Sequence, residues 1–356
     1  MKLMESSIGL LAGLFLAALC IEVSFLPGDL SAQTPFYQGK TITIIQGRDP
    51  GGTGDMRVRA LFPLLHKYTP GNPTVVSEYM PGGGGRKAAN HVYRSARPDG
   101  LTIGSPGGMV SSAVLGESGV LYDLDKFFYL GSPYSTYHPI FVSRKQAGLS
   151  SIEKLRAATG VRVGAFSLGS SIYNEARLFA YIIGLKEPKF VAGYGGLEVD
   201  QALMRGEVDA RTSSGDTILL RNRDWFDKGL VDFHTILEIP KGDKHPQFKH
   251  LPELETFARS DRERKLVILV RAFRLAGSPF VLPYGTPKER VEVLREAFRK
   301  AYKDPEFFRE YKKLTGDEAS PLMPENLERA INEIPRDPEV IELFKKLAGA
   351  EPLPPR

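Results

Sequence analysis

The stretch TITIIQGRDPGGTGD, residues 41–55, carries the reading of the fold. Its first six residues are a β-branched run of the kind that packs well on a pleated surface, and Gly47 and Pro50 then interrupt the strand pattern. Asp49-Pro50-Gly51-Gly52-Thr53-Gly54-Asp55 is a strand-to-helix turn, and the helix it opens runs through Arg59 toward His66. Working outward, Thr74 to Tyr79, Thr102 to Ser105, Arg162 to Ser167 and Lys189 to Tyr194 also read as strands, and amphipathic stretches follow most of them. This alternation predicts α/β lobes with largely parallel sheets joined by right-handed crossovers. Ligands of such sheets bind beyond the strand C-termini, in the loops that lead into helices.

Those loops are rich in glycine. Gly51 and Gly52 let the main chain approach a ligand closely, and a helix N-terminus adds partial positive charge, so the loop could hold a carboxylate without a dedicated arginine. A tight turn with no ligand explains one such loop equally well. Pro81 to Gly85, with Gly83 and Gly84 at its centre, and Gly104-Ser105-Pro106-Gly107-Gly108 repeat the arrangement, which makes three in one lobe. None fits the spacing of a phosphate-binding loop or a dinucleotide fingerprint. In the middle of the chain, Ser167-Leu168-Gly169-Ser170-Ser171 and Gly193-Tyr194-Gly195-Gly196 could form the opposite wall of a cleft. Ser170 by itself also suits a helix cap.

Helix starts are expected at Ser150, with Glu153 completing a capping box, and at Thr286, with Glu289 and with Pro287 at the first helical position. From Thr286 onward the chain reads as almost wholly helical, with Tyr302, Phe307, Phe308, Tyr311 and Leu314 in an apolar stripe, and the proline-rich tail from Pro352 reads as disordered. The 356 residues exceed one usual core, so two lobes are expected.

Met1 to Glu5 carries one lysine, Ile8 to Ile21 is apolar, and Ser31 and Ala32 are small, which is a secretory signal pattern over residues 1–32. Cleavage after Ala32 would remove Cys20, the one cysteine, leaving neither disulfides nor thiolate ligands. The formal net charge of +5 suits an anionic ligand or partner, but the basic residues are dispersed and no nucleic-acid module accompanies them. A serine hydrolase is the rival reading: Ala165 to Gly169 nearly matches a nucleophile elbow around Ser167, with Asp209 or Asp216 and then His234, His245 or His250 downstream. His245 and His250 are poorly spaced for zinc, and no metal or cofactor is expected.

Several segments then converge on one family. Gln38 to Ile42, the loop from Pro50 to Asp55 with Arg59, Pro70 to Val76, and Pro81 to Gly85 followed by Ala88-Ala89-Asn90 resemble the substrate-binding proteins of tripartite tricarboxylate transporters, the Bug family. The likeness continues through Pro98-Asp99-Gly100, Gly169-Ser170-Ser171, Gly193 to Gly196 with Arg205 to Asp209, and Pro283 to Pro287. No single motif is specific; their order and spacing jointly are. The resemblance implies a two-lobed periplasmic-binding-protein-like fold of the type II-like kind, with a ligand cleft between lobes. It divides the chain into residues 33–138 with 278–356 as one lobe and 139–277 as the other.

The resemblance further implies a non-enzymatic, monomeric periplasmic receptor that passes a small organic carboxylate to membrane permease subunits. Citrate, dicarboxylates and aromatic acids all stay open as ligands, and a sensor for a membrane signalling protein remains an alternative role. Carried over residue by residue, Gly51, Gly52, Thr53 and Asp55 line one wall and Ser167, Gly169, Ser170, Ser171 and Tyr194 the other. Gly83, Gly84, Ser105 and Ser213 complete the expected binding set. Arg48 and Asp49 replace the apolar and proline residues common before the first glycine pair, and Ser213 stands where many members carry aspartate.

Overall fold

The computed structural model of the protein describes residues 35–166, 168, 170–194 and 196–356. The signal segment at 1–32, Ser167 and Gly169 therefore lie outside the described residues. Among the described residues ten strands form two five-stranded sheets: β1 (Thr41–Gln46), β2 (Thr74–Tyr79), β3 (Thr102–Ser105), β4 (Phe128–Gly131), β5 (Pro139–Arg144), β6 (Arg162–Gly164), β7 (Lys189–Val191), β8 (Ala210–Ser214), β9 (Val231–Ile236) and β10 (Phe280–Leu282). The first sheet runs β2-β1-β3-β10-β4 and the second β7-β6-β8-β5-β9.

The two sheets share one plan. Three parallel strands lie at one side of each, and the strand arriving from the other sheet is inserted antiparallel next to the far edge: β10 between β3 and β4, β5 between β8 and β9. Four of the five strands in each sheet therefore run the same way, in line with the expected largely parallel sheets, and the inserted strand makes each sheet mixed. The physical reason is the double crossing between lobes, since a chain that leaves through 132–138 and returns at 280 enters each sheet from the opposite end. The two crossings lie side by side because β4 pairs with β10.

Helices of the first half are α1 (Thr53–Arg59), α2 (Phe62–Tyr68), α3 (Arg86–Arg94), α4 (Met109–Val114), α5 (Ile152–Ala157), α6 (Ser171–Ile183) and α7 (Gly196–Arg205). Those of the second half are α8 (Gly215–Arg221), α9 (Arg223–Asp227), α10 (Asp261–Leu275), α11 (Lys288–Lys303), α12 (Pro305–Thr315), α13 (Pro324–Asn332) and α14 (Pro338–Ala348). β1 is central and covered on both faces, which accounts for its near-continuous apolar run with Ile42, Ile44 and Ile45 buried. α6 is buried almost all round; Ser170 Oγ accepts from Tyr173 N at its start, and Gly184 closes it in the left-handed conformation. α5 is capped by Ser151, one residue later than expected, and α11 starts from Pro287 while Thr286 Oγ1 donates to Pro283 O.

α14 packs against α6 and α10 beside the second sheet. The segment that follows is anchored there too: buried Arg177 donates to the carbonyls of Leu347 and Glu351, Tyr173 to that of Gly349, and Arg356 pairs with Glu263. Proline rigidity removes little chain entropy on ordering, and these donors hold the main chain, so the tail from Pro352 is placed rather than loose.

Candidate functional site

The three glycine loops converge at the C-terminal edge of the first sheet. A Cβ on Gly47 would lie 2.2 Å from Pro106 O, one on Gly85 2.1 Å from the same atom, and one on Gly108 2.4 Å from Gly84 O. Glycine is required here because backbones touch one another. Within the first loop Gly51 N–H donates to Asp55 Oδ2 at 2.9 Å, while Gln46 Nε2 and Tyr79 Oη donate to Oδ1 at 2.7 and 2.8 Å. Burial alone would raise the Asp55 pKa, but these three donors, with Arg59, outweigh it and hold the carboxyl below its ordinary value. Asp55 is a buried tether of the loop. Its carboxylate takes the Gly51 amide that the sequence reading offers to a ligand, and Gly51, Gly52 and Thr53 are exposed.

Arg48 lies across the same loops. Its Nη2 donates to Ser105 O at 3.2 Å and approaches Ser105 Oγ at 3.5 Å, and the guanidinium fills the space beside Gly54 and Gly107. Burial, then the charge of Arg57, lowers its pKa. Two guanidinium groups thus face the edge of the first sheet where the three loops meet.

Arg57, on the last turn of α1, reaches the space between the two sheets. It stacks 4.1 Å from the ring centroid of Tyr134, pairs with Asp317 at 3.3 Å, and keeps its buried Nε from water beside the buried Tyr311 hydroxyl, with which the guanidinium interacts. Tyr134 and Tyr137, both in the first crossing, meet edge to face at 6.5 Å. Arg274, near the end of α10, lies 4.5 Å from the Tyr137 ring centroid and pairs with Glu175 of α6. The row Arg57–Tyr134–Tyr137–Arg274–Glu175 therefore crosses from one sheet's helices to the other's. Burial raises both tyrosine pKa values, that of Tyr134 to about 12, so both hydroxyls remain protonated donors at neutral pH. Burial likewise raises the Glu175 carboxyl, against the opposing pull of Arg274.

Two cavities flank this row. One of about 380 Å³ is lined by Arg57, Gly108, Ser111, Tyr134, Tyr137, Ser171, Glu175 and Arg274, with Val110, Leu115, Val270, Phe273 and Phe344 as apolar wall. The other, about 400 Å³, shares Arg57, Tyr134 and Tyr137 and adds Ser214, Asp216, His138, Lys244 and His245. Of the expected binding residues, Ser171 lines the first cavity, whose lining also includes Gly108 of the third glycine loop. Ser170 Oγ is engaged in capping α6, and Ser105 is buried against Arg48. Gly83 and Gly84 are exposed at the loop that supports Gly108. Tyr194 Oη reaches Glu207 Oε2 at 3.5 Å, and Ser213 Oγ is buried without a partner among the described residues.

Sequence reasoning missed Arg57, Tyr134, Tyr137, Glu175 and Arg274. A signal existed in the two tyrosines and His138 clustered at the crossing, but arginines one turn inside a helix look like solvated surface until the opposing sheet is in place. Of the residues of the hydrolase reading, Ser167 lies outside the described residues, and Asp209 and His234 have other partners. Asp209 takes three bonds from Arg162, one from its backbone N–H and two from its guanidinium, and His234 Nε2 bonds Ser143 Oγ at 2.8 Å. His245 Nδ1 accepts from Gln247 N at 3.2 Å, which leaves the proton on Nε2, 3.3 Å from Asp216 Oδ1. No cluster of three or more metal-ligating side chains occurs among the described residues.

No protein-family model matches the chain, and no curated protein does. Solved structures do. A TctC solute-binding protein from Polaromonas aligns with a TM-score of 0.64 at 18% identity, over 87% of this chain and 98% of its own. The periplasmic binding protein BugD aligns at 0.56 and 20% identity over 87% and 98%, and MatC from Rhodopseudomonas palustris with bound malate at 0.52 and 20% over 87% and 99%. At these identities the likeness is one of fold: a two-lobed α/β periplasmic-binding-protein architecture.

Proposed function

We propose that this chain is an extracytoplasmic solute-binding receptor of the tripartite tricarboxylate transporter type, which captures a small organic carboxylate between its lobes and delivers it to membrane permease subunits. The observation that carries this reading is Arg57. It lines both cavities at the junction of the two crossings, and its guanidinium is the cationic group there that an incoming carboxylate would pair with. Arg48 behind it adds positive potential, and Tyr134, Tyr137 and Ser171 supply hydroxyl donors. The structural neighbours include one with malate, and the fold they share with this chain supports the same class of cargo.

On this reading the glycine loops 47–55, 82–85 and 106–108 serve as a rigid platform, and Gly51, Gly52, Thr53, Gly83, Gly84, Ser105, Ser170, Tyr194 and Ser213 shape the cleft around the ligand, with Asp55 as the loop tether. Ser167 and Gly169 would close the second wall. The protein acts in the periplasm as a monomer without catalysis, after removal of the segment ending near Ala32. Among the described residues no helix is long and apolar enough to cross a membrane.

A thermal-shift panel of mono-, di- and tricarboxylates tests the reading, because ligand at 100 times its dissociation constant stabilises by about 2.7 kcal/mol. At least one acid is expected to raise the melting temperature, and Arg57→Gln to weaken that acid's binding by about ten- to a hundredfold. Absence of any shift across the panel, or unchanged affinity in the folded Arg57→Gln variant, would refute it.

A further inference from the structure

Among the described residues, each charged side chain that lines the cavity of about 380 Å³ already has an opposite partner. Arg57 pairs with Asp317, Glu117 with Arg86, and Arg274 with Glu175. One carboxylate can enter beside Arg57, where Tyr134, Tyr137 and Ser171 add hydroxyls. Each further carboxylate would lose water with no cation of its own to meet. The charge arrangement thus favours a cargo with a single negative group.

The remaining wall of the same cavity is apolar and is assembled from distant parts of the chain. Val110 of α4 and Leu115 just after it contribute one part, and Val270 and Phe273 of α10 with Phe344 of α14 contribute the other. Phe273 and Phe344 meet edge to face with ring centroids 5.5 Å apart, so each ring orients the other. α14 is held against the cavity by α6, since Arg177 donates to Leu347 O and Glu351 O and Tyr173 to Gly349 O. The second cavity has no comparable face: beyond the two shared tyrosines its apolar members are Pro246 and Ala319.

We infer that the cargo is a monocarboxylate with an apolar body, an alkyl or aryl-alkyl acid, and that Leu115, Phe273 and Phe344 are specificity-determining residues. This rests on the receptor reading above and deepens it. The carboxylate sits by Arg57 and the body covers the apolar wall. Each methylene buried there adds about fourfold to the affinity. A small polar diacid or triacid leaves the wall against water and brings charge that the cavity does not balance.

Calorimetric titration of the full chain with butanoate, hexanoate, octanoate, 3-phenylpropanoate, malate and citrate tests this. Affinity is expected to rise at least about tenfold from butanoate to octanoate, and the better of octanoate and 3-phenylpropanoate to bind at least about tenfold more tightly than malate and citrate. Leu115→Asn and Phe273→Gln place polar groups at half-buried positions on the two parts of the wall. In each, the ratio of octanoate to butanoate affinity is expected to fall at least about threefold, a readout that a purely structural role would leave alone. A flat series, a di- or tricarboxylate bound as tightly as the best apolar acid, or an unchanged ratio in both folded variants would overturn the inference and leave the receptor reading standing. No binding by any acid in this set or in the broad carboxylate panel would overturn both. Should one variant fail to fold, the other decides the variant arm, and the wild-type series decides alone if both fail.

Discussion

Removing the Asp55 tether is the sharpest test of how the first glycine loop is held. The carboxylate is 1% exposed and receives Gln46 Nε2 at 2.7 Å, Tyr79 Oη at 2.8 Å and Gly51 N at 2.9 Å, so Asp55→Ala orphans three donors at once. Arg59, more than half exposed, adds little. A hydrogen bond to a charged group contributes about 1.5–3 kcal/mol, and Tyr79 is only half-buried and can turn to water, so the loss in Asp55→Ala should be about 4 kcal/mol. Asp55→Asn keeps the shape and one acceptor but turns an amide toward Gly51 N–H, and should cost about 2 kcal/mol.

For units of 150–250 residues this corresponds to melting shifts of about 8–16 °C and 4–8 °C. The sign of the pH dependence follows from the depressed carboxyl pKa. The folded state holds the proton less tightly than the unfolded chain, so the stabilisation is present above the unfolded value near 3.9 and is lost as pH falls through the lower folded value. Differential scanning fluorimetry from pH 7 down to 3 should show wild type and Asp55→Asn converging at acid pH. An Asp55→Asn protein that melts within about 1 °C of wild type at pH 7 would refute the tether.

Gly85→Ala should cost about 2–4 kcal/mol, because its Cβ would lie 2.1 Å from Pro106 O and 2.2 Å from Gly107 O at a φ of +96°; chemical denaturation reads this directly, and a loss under about 0.5 kcal/mol would show that the loops part easily. Burial lowers the His234 pKa to about 4, against the opposing pull of Asp232. The unfolded chain therefore binds the extra proton first, and up to about 3 kcal/mol of stability present at pH 7 is lost between roughly pH 6.5 and 4. In His234→Gln, urea titrations across that window should lose this component of the slope, and an unchanged pH profile would mean that the ring is hydrated.

The glycine loops show how far local pattern reaches. Each lies between a β-branched run and an amphipathic helix, so strand, turn and helix were all legible from residue chemistry, and β1 to β3 have the bounds expected. β4, β8 and β10 were not, because they are short or polar: ARTSS becomes a strand only when β6 and β5 flank it and Asp200 pairs with the buried Arg211. The helical C-terminus was legible from its apolar stripes, but not which lobe its last helix joins, since α14 is chosen by Arg177 and the faces of α6 and α10.

The candidate site divides in the same way. Sequence by itself determined that backbone-dominated loops cluster at one end of an α/β lobe, since glycine at those positions is a local requirement of turns and close approaches. It also determined that Ser170 can cap a helix. Only tertiary structure decided that Asp55 turns inward to hold its own loop, and that Arg57 and Glu175, 118 positions apart in the chain, stand at opposite ends of one aromatic row. Polar side chains on helices have the same local signature whether they meet water or a facing lobe, and what they meet is set by long-range packing.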